Sequence, residues 1–143
     1  MDIEELRSVQ TRERATEGLQ ELRESFYEDV ARYLESLREQ RREAAAEAED
    51  PFRSQRVTDL SDEIETAEQV AEAIYERRIG KLVKQASLSA AGMPADQDGL
   101  TAEEQELYEA LVDRIEQNKA RVLDNLSGDL STDPTGPTTE PAE

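Results

Sequence analysis

Glu65, Glu68, Glu72 and Glu76 recur at spacings of three and four, which puts four carboxylates on one face of a helix. A stripe of this kind can hold magnesium, and the chemistry would then be metal-dependent nucleotide hydrolysis. The apolar residues of the same segment lie roughly opposite, however, so the carboxylates read as a solvated face. "DQDGLTAEE" (96–104) has the composition of a calcium loop. Aligning Gly99 with the glycine of such a loop puts Pro94 at the first ligand position and Gln105 at the twelfth, and neither fits. It reads instead as a turn followed by a helix cap. The chain has no Cys and no His, which removes thiolate ligands, disulfides and the commonest general base. No catalytic residue, metal ligand or cofactor is assigned, and a non-enzymatic role is expected.

Basic residues present a different pattern. The chain has 35 acidic and 17 basic residues, for a formal net charge of −18. Yet "AIYERRIGKLVK" (73–84) gathers Arg77, Arg78, Lys81 and Lys84 around Gly80. With so acidic a background, no face carries the charge needed to release phosphate counterions, and no direct sequence-specific nucleic-acid binding is expected. At about 100° per residue, Leu60, Ile64, Ala67, Val70, Ala71 and Ile74 share one sector of a helix. In the second half Tyr75, Ile79, Leu82, Val83 and Ala86 define a sector swung by about a quarter turn. The four basic residues continue the sector that the first half buries. They are expected to face a buried or interfacial seam, paired with acids of this chain or of a partner. A basic end complementing the helix dipole is the simpler alternative. Gly80 weakens a helix by about 1 kcal/mol relative to alanine, so a kink or a close backbone approach is expected there.

The periodicity around these residues is helical throughout. Asp2 can cap a short first helix carrying Ile3, Leu6 and Val9, with Glu5 in capping-box position and Gly18 as its stop. A second helix is expected from about Leu22, with Phe26, Val30, Tyr33 and Leu37 in its stripe. Beyond Leu37 only alanines remain to bury, so this end is expected to project or fray before Pro51 stops it. A third helix should start near Asp59 or Ser61 and run to about Ala86, with residues 87–99 as a loop. The fourth opens on a capping box, Thr101 with Glu104, and carries Leu107, Leu111, Ile115 and Val122 on one face, with Tyr108, Val112 and Leu126 widening it. Gly128 is a plausible stop. The expected fold is all-α: an antiparallel bundle of about four helices, two or three of them long, over residues 1–126. Residues 127–143 are expected to form a disordered acidic, Pro/Thr-rich tail.

Composition bounds the rest. Leu, Ile, Val and Phe number 28, too few for a thick core, so an oligomer or a need for salt is expected. With 14 Arg, 3 Lys and abundant acid, the chain suits concentrated salt, a halophilic habit. No run approaches the roughly 18 apolar residues of a membrane span, and the acidic start lacks a signal-peptide core. A cytoplasmic protein without membrane contact is expected.

"FYEDVARYLESL" (26–37), the basic "YERRIGKLVKQAS" (75–87) late in a long helix, and "LTAEEQELYEALVDRI" (100–115) together resemble the helical A domain of the GINS complex of DNA replication. The likeness covers about residues 1–126 and is to the archaeal, A-domain-first type. The resemblance implies a non-catalytic scaffold. Four such subunits assemble as a homotetramer or with a paralogue, and bridge the MCM helicase to a RecJ-like, Cdc-type protein to support unwinding. Localisation at the nucleoid would follow. The resemblance places Phe26, Tyr27 and Tyr33 at the family's aromatic positions and Arg77, Arg78 and Lys81 in its basic motif. Tyr75, Gly80 and Lys84 join them as candidate interface residues. The small B domain usual after the linker is not in this sequence. An unrelated helical adaptor or coiled-coil module is the alternative.

Overall fold

A computed structural model describes residues 1–128. Among them are four α-helices, α1 (Ile3–Ala15), α2 (Phe26–Glu47), α3 (Gln55–Ala90) and α4 (Ala102–Leu126), with a 3-10 turn at Pro51–Arg53. The all-helical bundle expected from periodicity is what forms. The expected tail lies outside the described residues from position 129 onward.

The longest helix, α3, is the spine, and α1, α2 and α4 each pack against it. α2 runs antiparallel to it: the Tyr27 ring meets Tyr75, the Tyr33 hydroxyl donates to Glu63, and Gln40 accepts from Arg56. One core cluster joins Leu6 and Val9 of α1, Phe26 and Val30 of α2, and Ala67, Val70 and Ile74 of α3. A second joins Leu37 to Leu60 and Ile64, and a third joins Leu82 and Ala86 to Leu100 and Tyr108. Three thin clusters, not one deep core, are what so few aliphatic residues allow.

The four boundaries of α2 and α3 differ from expectation, each for a local reason. α2 begins at Phe26 and not near Leu22, because Leu22 N–H donates to Gly99 O (3.0 Å) and Ala102 N–H donates to Glu24 O (3.0 Å). Those backbone groups are committed to the other connection and cannot enter a helical ladder. α2 does not fray beyond Leu37 but continues to Glu47, with Ala44 packed on the Leu60–Ile64 cluster and Arg41 donating to Ser61. α3 starts earlier than expected, at Gln55, because Ser54 caps it by accepting from Val57 N–H (3.2 Å). It also runs on to Ala90. Gly92, at φ +81°, closes a Schellman turn in which Met93 N–H donates to Leu88 O and Gly92 N–H to Ser89 O.

At the N-termini of α1 and α4 the expectations hold, whereas α1 ends at Ala15, with Thr16 as its C-cap, three residues before the expected stop at Gly18. Asp2 accepts from Glu5 N–H, and Thr101 and Glu104 form the reciprocal capping box. α4 begins level with Arg78, far back along α3 from its end. Its first turns pack there, and from Glu116 onward nearly every residue is exposed.

Candidate functional site

Arg78 is 1% exposed and is the largest fully buried side chain. It lies on the buried ridge of α3 that includes Val70, Ile74 and Leu82, so the helical register carries it inward. All five of its N–H groups have acceptors. Nε and Nη2 grip the two oxygens of Glu104 at 2.6 and 2.7 Å. Nη1 donates to Glu13 Oε1 (2.8 Å) and to Gln20 O (2.8 Å), and Nη2 also donates to Gly99 O (3.1 Å). One guanidinium therefore ties α3 to α1, to α4 and to the backbone of both long connections. Only an arginine offers a planar fork with this many donors.

Lys81, one turn further on, serves the end of α1. Its Nζ lies within hydrogen-bond reach of Glu13 Oε2 (2.7 Å) and of the carbonyls of Glu13, Thr16 and Gly18 (2.6 to 2.9 Å). A cation there satisfies carbonyls that the helix leaves unpaired and complements its dipole. Glu13, 1% exposed, also accepts from Gln20, whose amide donates in addition to Val9 O. Glu104 also accepts from the Tyr27 hydroxyl (2.9 Å) and from Thr101 N–H (3.0 Å). Two carboxylates and two cations close the cluster at zero net charge.

Such a cluster survives burial only because it is fully paired. Burial alone would push the Glu13 carboxyl up, but hydrogen bonds from Lys81, Arg78 and Gln20 outweigh it and hold the group below its ordinary value. Burial acts the same way on Glu104, and Arg78 and Thr101 N–H overcome it, again downward. Burial would lower Arg78, yet Glu104 and Glu13 raise it. Tyr27 is pushed up by burial and by the charge of Glu104.

Gly99 makes the connection possible. It sits at φ +80°, and a Cβ there would lie 2.6 Å from the Glu21 backbone. Any other residue would part the two connections that Arg78 joins.

The nine residues expected at an interface separate into three groups. Phe26 and Arg78 lie inside the bundle, and Lys81 has its side chain only 13% exposed. Tyr27 and Tyr33 are half-buried, each with its hydroxyl donated to a carboxylate within the chain. Tyr75, Arg77, Gly80 and Lys84 are on the surface, Arg77 reaching only a long 3.4 Å contact to Arg14 O. The acids expected to meet the basic segment are Glu13 and Glu104 of this same chain. Glu13 could have been noticed: it continues the Leu6–Val9 stripe, an acid at an apolar position. Gln20 and Gly99 offered no such signal.

Glu65, Glu68, Glu72 and Glu76 are all exposed, and Glu68 pairs with Arg38 (2.8 Å). Among the described residues no acidic group converges as a metal site, and no helix is long and apolar enough to cross a membrane. No family model, curated protein or solved structure matches this chain.

Proposed function

We propose that this chain is a non-catalytic scaffold that works by protein–protein assembly, as a subunit of the GINS type in DNA replication. One observation carries the assembly reading. A chain with few large apolar residues leaves Tyr75, Val83, Val122, Leu123 and Leu126 on its surface, at 44–76% exposure, along the second halves of α3 and α4. We read these residues as part of a surface meant for a partner. The basic segment that carries the resemblance to GINS supports the same reading in another way. Its Arg78 ties α1, α3 and the first turn of α4 together.

In this reading the subunit joins other GINS subunits, as a homotetramer or with a paralogue, and bridges MCM to a RecJ-like, Cdc-type partner. The high negative charge fits a protein working in concentrated salt in the cytoplasm, at the nucleoid. The test is co-purification of the tagged chain with purified MCM and the RecJ-like protein in high salt. Co-elution with both supports the GINS assignment. Failure to retain either one refutes it and leaves an unrelated helical adaptor as the reading of the same surface.

A further inference from the structure

Gly80 stands well inside the 36-residue helix α3, yet it is exposed, and a Cβ built on it would meet nothing within 4 Å. Nothing among the described residues requires a glycine there, although glycine weakens a helix interior. On the i, i+4 ridge through Gly80 stand Glu76 and Lys84, four residues before and four after. Both are exposed, and neither has an ion-pair partner among the described residues. Val83, 44% exposed, flanks the ridge.

We infer that this face of α3 is a self-association surface, where α3 of a second copy crosses antiparallel with Gly80 against Gly80. Opposite charges at equal distances on either side of the glycine are what a two-fold axis needs. Glu76 of each copy then meets Lys84 of the other, twice by symmetry. The glycines let the two backbones approach, and Val83 of each copy is covered beside the crossing. Ridges spaced by four residues are those that interlock in the commonest helix crossing. Two chains of net charge −18 repel at long range, so the contact strengthens as salt screens that repulsion. This inference deepens the assembly reading and rests on it. Retention on MCM and self-association are measured separately, so either can fail alone.

The experiment is sedimentation equilibrium of the full chain across a salt series, for wild type, Glu76→Lys, Lys84→Glu and the double exchange. Each single variant sets like charges opposite each other and should lower the association constant by about tenfold or more, while the double exchange should recover to within about threefold of wild type. Glu76→Lys is the sharpest arm: it moves the net charge from −18 to −16 (−18 + 2), so a bulk charge effect would strengthen association. Gly80→Leu starts from a Cβ that meets nothing among the described residues, and should raise the melting temperature of the single chain while abolishing association. A wild-type chain that stays monomeric at every salt concentration would overturn the inference. So would single variants that associate like wild type, a double exchange that fails to recover, or a Gly80→Leu chain that still associates.

Discussion

Arg78 and Glu104 meet as a bidentate pair across the α3–α4 contact, Nε to Oε2 at 2.6 Å and Nη2 to Oε1 at 2.7 Å, with both side chains at most 3% exposed. Glu104 is also the residue that closes the capping box of α4. Helix initiation and interhelical locking therefore share one carboxylate. Replacing Arg78 by Met would leave Glu104 without its main partner and Glu13 with only Lys81 and Gln20. The expected loss is about 3–5 kcal/mol, measured by urea unfolding. Arg78→Lys should recover little of it, because three donors on a point charge cannot serve both acids and two carbonyls. Adding Glu104→Met and Glu13→Leu to Arg78→Met should restore much of the stability, since the burden lies in the unpaired charges.

The two buried acids of the cluster should make the fold sensitive to acid. Glu13 and Glu104 have folded-state values below their ordinary 4.5. Their contribution is complete above that value and is lost as pH falls through it toward the depressed folded values. Elsewhere, protonating other acids relieves self-repulsion, so the specific effect is read by difference. Wild type should lose stability relative to Glu104→Gln as pH drops from about 6 to 3. A constant difference across that range would remove the pair from the account of acid unfolding.

Two glycines should respond to alanine with opposite signs. Gly99→Ala puts a Cβ against the Glu21 backbone at positive φ, and a loss of about 1–3 kcal/mol is expected. Gly80→Ala meets open space in the helix and should add about 0.5–1 kcal/mol to the isolated chain. Thermal melts at low protein concentration and low salt compare the two.

Two tyrosines should likewise diverge on losing a hydroxyl. Tyr108 is buried, and its hydroxyl has no partner among the described residues, so Tyr108→Phe should be neutral or stabilising. Tyr27 donates to Glu104, and Tyr27→Phe should lose about 1–2 kcal/mol in denaturant unfolding.

What could be read from the sequence followed interaction range. The Thr101–Glu104 box spans four residues and was legible, as was the Asp2 cap. The inward turn of Arg78 was legible from helical register, although Arg77 and Lys84, placed in the same sector, face solvent. Its acids were not legible, because Glu13 lies 65 residues away and Glu104 lies 26 away. The late start of α2 depends on hydrogen bonds from residues 22–24 to residues 99–102, which no local pattern announces. The C-terminus of α3 did carry a local signal, Gly92 followed by Met93 and Pro94. Residues 87–90 nevertheless stay in the helix, which the Schellman turn closes.

The central claim is that this chain assembles with itself, and its native mass tests that most directly. Sedimentation equilibrium of the full chain in high salt should return the mass of two or four chains, falling toward one as salt is withdrawn. The mass of a single chain at every salt concentration would contradict the account.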